Sequence, residues 1–336
     1  MSDTRSPSGF QDFWRQFRGP MRITPDLLRS SVFRSHLARL VAHLPNVSVQ
    51  VTSVIASPGA LRQNLDYISR RGDLALVGRE GEEVAGRPEI QSRAEDWIAD
   101  RFHFQERSCR LAFSLILSMP PGTPQQAVFA AAEDFARATF DDRTGWLMAR
   151  HTDTAHPHVH LTVRGQADDG RFMDFGPRDL RAMRGGFAQA LRARGVDADD
   201  APRWARGIVE KPLSRGVYRL ERDYALGRGP EPRYVDGDIE DALAIARGRS
   251  AADRPWEDHI RSQQQNIRDR YMVIADGLDR LGGEGDRTLA GQVRRFVAQM
   301  PPPLTRRERL AEEARVIETA RTLGELKRTS ERRRER

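Results

Sequence analysis

The chain has 336 residues, enough for one large domain or for a medium domain with a smaller appendage. Lys and Arg number 55 against 48 Asp and Glu, and the net charge of +7 indicates a polyanionic partner, with nucleic acid as the first candidate. The single cysteine, Cys109, excludes a disulfide framework and a multi-cysteine zinc site, and it fits a reducing cytoplasm. No apolar run reaches the roughly 18 residues of a spanning helix, so no membrane insertion is expected.

The first 45 residues are a basic leader that contains one amphipathic helix, predicted over residues 27–44. Residues 47–55 alternate between apolar and polar types and predict a strand. The pair Ser57-Pro58 then predicts the start of a helix that continues to residue 71. Helices are further expected over residues 90–102, 124–139 and 178–194, and strands over 110–119, 145–151 and 158–164.

This order of strands and helices predicts an α+β domain with a mostly antiparallel sheet flanked by helices. Beyond residue 202 the strand patterns disappear, and a Gly- and Pro-rich linker is expected over residues 227–237. Helical stretches follow at 239–247, 256–281 and 304–332. The predicted domains are therefore the leader 1–45, a catalytic domain 46–222 and a helical, Arg-rich C-terminal region 223–336.

Four of the eight histidines of the chain fall within the ten residues HTDTAHPHVH, 151–160. Side chains alternate between the faces of a strand, so His158 and His160 project to the same side while Val159 faces the core. His151 can complete a three-nitrogen face if the two strands pair antiparallel. Such a site leaves coordination positions open, as catalysis requires. The alternative is that these are ordinary exposed or core histidines.

Two further residues, Asp153 and Tyr67, have predicted roles that depend on the metal site. Asp153 can accept the second ring N–H of a ligand and fix its tautomer. A divalent ion in a basic protein indicates phosphodiester chemistry, which needs a nucleophile. Tyr67 is the only tyrosine before residue 200, and nearby cations favour its phenolate. Its alternative role is that of an ordinary residue of an amphipathic helix.

Three segments together resemble the relaxases, or mobilisation nucleases, which are histidine-hydrophobic-histidine endonucleases. The resemblance is to the branch of this family that includes the T-DNA border endonucleases. The three segments are NLDYISRRGDLAL at 64–76, LSMPPGT at 117–123 and HTDTAHPHVH at 151–160, with a weaker echo in RGIVEKPLS at 206–214. The resemblance covers roughly residues 47–220, about half of the chain.

The resemblance implies that Tyr67 attacks one DNA strand at the origin of transfer of a conjugative or mobilisable element and leaves a 5′-phosphotyrosyl adduct. It also implies that His151, His158 and His160 bind Mg or Mn, that Asp153 supports them and that Ser118 contacts DNA near the nick. Arg70, Arg71 and Arg164 are expected to contact phosphates of single-stranded or extruded DNA.

The expected partners are relaxosome accessory proteins and a type IV coupling protein, and the expected location is the cytoplasm, with transfer into a recipient cell alongside the DNA. Two alternative functions remain at this stage. One is a rolling-circle replication initiator with the same chemistry. The other is a non-catalytic accessory protein that binds DNA and is stabilised by a metal ion.

Overall fold

The computed structural model describes residues 23–102, 110–209, 215–230, 233–251 and 254–316. The chain divides after Ala201 into two compact units, each of which is described separately below. The functional limits predicted from the sequence, 46–222 and 223–336, stay a prediction. Within the described residues, no helix is both long and apolar enough to cross a membrane.

The first unit alternates helices with short strands. Its helices are α1 (Pro25–Arg29), α2 (Ser31–Val41), α3 (Pro58–Ile68), α4 (Arg87–Phe102), α5 (Gln125–Phe140) and α6 (Pro177–Ala193). Its strands are β1 (Ser48–Ile55), β2 (Leu76–Gly78), β3 (Glu83–Val84), β4 (Ala112–Ser118), β5 (Trp146–His151) and β6 (His158–Arg164).

The six strands form one sheet in the order β1-β4-β6-β5-β2-β3, and every neighbouring pair is antiparallel. Helices α5 and α6 cover one face through residues such as Phe135 and Phe187. Helices α3 and α4 cover part of the other face, where Leu65 and Trp97 lie in the same buried cluster as Ala149 of β5. The predicted α+β fold with a mostly antiparallel sheet is confirmed.

Several local expectations need correction. The helix predicted over 27–44 is two helices, because Ser30 ends α1 and its hydroxyl accepts a hydrogen bond from the backbone N–H of Phe33, which starts α2. The helix predicted to reach residue 71 ends at Ile68, because Arg70 and Arg71, which follow the C-cap Ser69, adopt left-handed backbone angles. Strands β2 and β3 were not predicted; with three and two residues they are too short to show a period.

The second unit is helical in its described residues, as predicted for the C-terminal region. Its helices are α7 (Arg215–Ala225), α8 (Arg233–Ala246), α9 (Pro255–Leu281) and α10 (Glu284–Gln299), followed by a helical segment at 306–316. Helix α8 occupies the end of the expected linker, and α7 and α10 were not predicted. Of the helix expected over 304–332, residues 317–336 lie outside the described part of the chain.

Helices α9 and α10 form an antiparallel pair closed by Gly282, whose left-handed φ of 80° ends α9. The buried ring of Tyr271 packs edge-on against Phe296, and its hydroxyl donates to the Ala205 carbonyl at 2.8 Å. The buried Arg307 guanidinium forms ion pairs with Glu257 at 2.8 Å and Asp241 at 2.9 Å. These contacts fix segment 306–316 to the helices before it.

Candidate active site

The two central strands β5 and β6 bring three histidines onto one face of the sheet. His151, the last residue of β5, pairs directly with His158, the first residue of β6. His160 follows two residues later and projects to the same side, while Val159 lies in the core on the opposite face. The strand geometry predicted from the HTDTAHPHVH segment is confirmed.

The three rings form a compact group. Their centroids lie 4.4 Å apart for His151 and His160, and 5.4 Å apart for each of the pairs that include His158. One nitrogen of each ring lies within 4.8 Å of the other two, close enough for a single ion to reach all three. His151 and His160 are buried and His158 is half-buried, so the group is open to solvent on one side.

The orientation of His151 is set by the end of helix α3. Its Nε2 lies 2.7 Å from the backbone carbonyl oxygen of Ile68. That carbonyl belongs to the last turn of the helix, where carbonyl groups have no partner within the helix. Because a carbonyl only accepts, Nε2–H donates and Nδ1 keeps its lone pair for a metal ion.

His158 is oriented by its own connecting segment. Its Nδ1 lies 3.0 Å from the carbonyl oxygen of His156, so Nδ1–H donates and Nε2 stays available as a ligand. The Thr154 hydroxyl donates to the same carbonyl at 2.8 Å. His156 therefore contributes its backbone to the site, and its ring is not among the three that converge.

Burial keeps two of the three imidazoles neutral. Desolvation lowers the pKa of His160 to about 4, and the charges of the neighbouring histidines act in the same direction. Desolvation also lowers the pKa of His151, and the hydrogen bond to Ile68 opposes this shift. Neutral imidazole is the form that binds a metal ion, so both rings are in their ligating form at pH 7.

Tyr67 lies beside this group, near the end of α3. Its ring meets His160 edge-on with centroids 5.5 Å apart, and it lies 6.5 Å from His151. The residue is 66% exposed, although its helical neighbours Leu65 and Ile68 are buried. Tyr67 and the histidine segment are far apart in the sequence but lie side by side in the structure, with the phenol at an accessible edge of the site.

Helix α3 is held in this position by a partly buried hydrogen bond. Thr162, two residues beyond His160 on the same face of β6, donates its hydroxyl hydrogen to the Asn64 side-chain oxygen at 2.7 Å. Asn64 lies about one helical turn before Tyr67. This contact ties the helix that carries the phenol to the strand that carries two of the histidines.

Comparisons with known proteins agree with this geometry. Residues 75–196 match the family model "Relaxase: MobA/VirD2-like, nuclease domain". Over these residues the chain is similar to a relaxase nuclease domain. The T-DNA border endonuclease VirD2 of Agrobacterium fabrum is 30% identical over 195 residues, 52% of this chain and 43% of that protein. The protein of the same name from Rhizobium rhizogenes is 29% identical over 195 residues, 52% of this chain and 44% of its own.

The chain therefore spans less than half the length of the curated relatives it matches. No solved structure matches it significantly. The relaxase match begins eight residues after Tyr67, so it includes the three histidines and Asp153 but not the tyrosine. The assignment of Tyr67 depends on its sequence context and on its place beside His160.

The structure places Asp153 differently from the sequence expectation. Its carboxylate forms an ion pair with Arg70, Nη2 to Oδ2 at 2.6 Å, and this guanidinium holds the pKa of Asp153 below its usual range. The rings of His151 and His158 hydrogen-bond instead to backbone carbonyls and to the Thr154 hydroxyl. The tautomer of His151 is thus fixed by Ile68, the partner that sequence reasoning missed.

The other predicted site residues differ in their distance from the three histidines. Ser118 ends β4 directly opposite His158, so it lies at the same end of the central strands. Arg71 is exposed in the turn after α3. Arg164 is at the other end of β6, about 20 Å from His158 at the usual rise of a strand. It pairs there with Asp168 and with Asp100, the latter at 2.8 Å.

Proposed function

We propose that this protein nicks one strand of DNA by transesterification, with Tyr67 as the nucleophile, at the origin of transfer of a conjugative or mobilisable element. The observation that carries the proposal is the exposed phenol 5.5 Å from the ring of His160, beside three converging histidines. The relaxase match of residues 75–196 supports the same class of chemistry.

In the proposed reaction the Tyr67 oxygen attacks a phosphorus atom of the DNA backbone. A bond forms between that oxygen and phosphorus, and the bond from phosphorus to the 3′ oxygen breaks. The products are a 5′-phosphotyrosyl adduct and a free 3′-hydroxyl, and the proton that Tyr67 loses is balanced by the proton that the 3′ oxygen gains. Since the phosphodiester is exchanged and not hydrolysed, the reverse reaction can reseal the strand.

The residues present fit a divalent metal ion. Three imidazoles converge, and the other ring nitrogens of His151 and His158 are occupied by carbonyl groups. When bound, the ion would polarise a non-bridging oxygen of the scissile phosphate. Mg and Mn are the proposed ions, and an all-imidazole set favours Mn because Mg prefers oxygen ligands.

The DNA is proposed to run along the open side of the triad. Arg70 and Ser118 border that side, and Arg71 is exposed in the same turn as Arg70. These three residues are the proposed contacts of the strand near the nick. Arg164 is the weakest of the predicted DNA contacts, because its guanidinium is already paired with two carboxylates at the far end of β6. Single-stranded DNA suits a nucleophile that must reach one strand in line.

The wider setting follows from the relatives and stays a proposal as well. It comprises relaxosome accessory proteins, a type IV coupling protein, a cytoplasmic location and transfer with the DNA into a recipient cell. The curated relatives are T-DNA border endonucleases, and this chain spans less than half of their length.

The test is covalent capture. The purified chain is incubated with a randomised single-stranded oligonucleotide pool and Mn²⁺, and DNA that stays attached under denaturing conditions is recovered and sequenced. Mass spectrometry then locates the nucleotide-modified peptide. We expect one nick sequence linked to Tyr67, loss of the adduct in Tyr67→Phe, and an unchanged adduct in the control Tyr224→Phe, another exposed tyrosine.

Each outcome separates the candidate functions. A chain that binds DNA but forms no adduct is the accessory protein of the alternative. An adduct at another residue removes Tyr67 as the nucleophile. An adduct whose recovered sequence lies at a replication origin of the source genome favours the rolling-circle initiator.

A further inference from the structure

Arg70 and Asp153 connect the two segments that build the site. Arg70 follows α3, three residues after Tyr67, and Asp153 follows β5, two residues after His151. Their side chains meet at 2.6 Å, with 44% and 50% of their surfaces exposed. One ion pair thus joins the segment that carries the phenol to the segment that carries the metal ligands.

The backbone after α3 is arranged so that Arg70 reaches this position. Arg70, Arg71 and Gly72 all have positive φ, at 51°, 60° and 97°. Such angles are uncommon for residues other than glycine and persist where the surroundings enforce them. Gly72 packs so closely on the next helix that a Cβ there would lie 2.3 Å from the backbone nitrogen of Arg87. The turn is therefore held by packing, and it directs the Arg70 guanidinium across the site.

The two charges act on the histidines with opposite signs. Both charges lie close to the triad, since Asp153 follows His151 by two residues and Arg70 follows Ile68, whose carbonyl contacts His151, by two residues. Either charge alone would change the electrostatic potential at the triad, and together they largely cancel there. A lone cation beside three ligands would oppose the binding of a divalent ion.

We propose that Asp153 acts through Arg70: it is a positioning residue that holds the guanidinium beside Tyr67 as a phosphate-binding group and cancels its charge at the triad. The phosphate-binding part rests on the proposed function. The ion pair uses Nη2 of Arg70, and a guanidinium carries five N–H donors, so donors remain for a phosphate. The neutral pair lets the triad accept a divalent ion next to an arginine.

The first test is calorimetric titration of the full chain with Mn²⁺ in the absence of DNA. Asp153→Asn leaves Arg70 uncompensated, and we expect it to weaken Mn²⁺ binding about tenfold. Arg70→Gln should bind Mn²⁺ at least as tightly as wild type. The double variant D153N/R70Q should recover wild-type affinity to within about twofold, because the charge that Asp153 cancels is gone.

The matched control is Asp134→Asn. Asp134 pairs with Arg194 at 2.7 Å with a similar exposure, and it connects α5 to α6 on the opposite face of the sheet. This variant should bind Mn²⁺ as wild type does. If D153N/R70Q binds Mn²⁺ as weakly as Asp153→Asn, then Asp153 acts on the histidines directly and the proposal is wrong.

The second test measures the phosphate-binding role through fluorescence anisotropy with labelled oligo(dT) in EDTA. Arg70→Gln should weaken binding several-fold, and Arg70→Lys should recover part of the loss, since it keeps the charge but not the fork geometry. Unchanged affinity in Arg70→Gln would overturn this role. Wild-type protein that takes up no Mn²⁺ would overturn the charge cancellation, whereas uptake without a Tyr67 adduct would overturn the proposed function alone.

Discussion

The ring of Tyr67 stands edge-on to the ring of His160, at an interplanar angle of 89° and a centroid separation of 5.5 Å. The tyrosine belongs to α3 and the histidine to β6, one of the two central strands of the sheet. This one contact brings the proposed nucleophile to the proposed metal ligands, and it is the geometric basis of the proposals above.

Removal of the Tyr67 hydroxyl should abolish the adduct without weakening the fold. The side chain is 66% exposed, so we expect Tyr67→Phe and Tyr67→Ala to change the free energy of unfolding by less than about 1 kcal/mol. Urea denaturation and denaturing gels check the two effects on the same preparations. A large loss of stability in Tyr67→Ala would contradict the exposed placement of the ring.

The triad should bind Mn²⁺ more tightly than Mg²⁺, because imidazole suits the transition metal better. We expect saturating Mn²⁺, at about 100 times its dissociation constant, to raise the unfolding free energy by about 2.7 kcal/mol, and EDTA to reverse this gain. His160→Ala should lose the effect. The control His156→Ala should keep it, since that ring lies outside the converging group. Equal loss in both variants would contradict the three-histidine site.

Thr162→Val should separate helix positioning from metal binding. The change keeps a branched side chain but leaves the Asn64 oxygen without its donor at 2.7 Å. We expect a loss of about 1 kcal/mol in unfolding free energy, an unchanged affinity for Mn²⁺, and slower adduct formation because α3 is less firmly held. Calorimetry and adduct kinetics on the one variant measure these effects. A fall in Mn²⁺ affinity would show that the hydrogen bond to Asn64 is also needed to keep the Ile68 carbonyl against His151.

The turn after α3 should tolerate no side chain at its third residue. In Gly72→Ala the left-handed φ of 97° and the approach of Arg87 both oppose a Cβ, so we expect a loss of more than about 1 kcal/mol. Gly59→Ala is the matched control within α3, where a Cβ meets nothing within 4 Å, and it should leave stability equal or slightly higher. Thermal unfolding of the pair checks the prediction.

The Asp66–Arg87 pair should give a pH-dependent contribution to stability. The hydrogen bond from Arg87 lowers the pKa of Asp66, and a second hydrogen bond from Gln91 acts in the same direction. A depressed carboxyl pKa stabilises the fold above the unfolded value of about 3.9 and loses this effect as pH falls through the folded pKa. Wild type should thus exceed Asp66→Asn in stability at pH 6, and the difference should shrink towards pH 3.

The sequence predicted the parts of this molecule that are specified locally. The strands β4, β5 and β6 are long enough to show their apolar pattern. The HVH spacing by itself places two histidines on one face of β6. Strands β2 and β3 exist only through their pairing with neighbours. Helix α10 was not predicted, because Gly285 and Gly291 lower its helix propensity.

Within the site, the sequence predicted which residues take part, but not which residues they contact. The triad followed from spacing, and Tyr67 followed from motif resemblance. The Ile68 carbonyl as partner of His151, and Arg70 as partner of Asp153, depend on how α3 crosses the sheet. No local pattern encodes a contact between positions 68 and 151, so sequence reasoning assigned the supporting role to the nearest carboxylate.

The separation of Tyr67 from the three histidines along the chain has a further consequence. The phenol and the triad meet only when α3 lies on the assembled sheet, whereas a phosphotyrosyl bond is covalent and needs no folded structure to persist. On the proposed mechanism, an unfolded chain would keep its DNA but could neither form nor reverse the link. Unfolding would therefore prevent premature release of the DNA, and refolding would restore the ability to rejoin the strand.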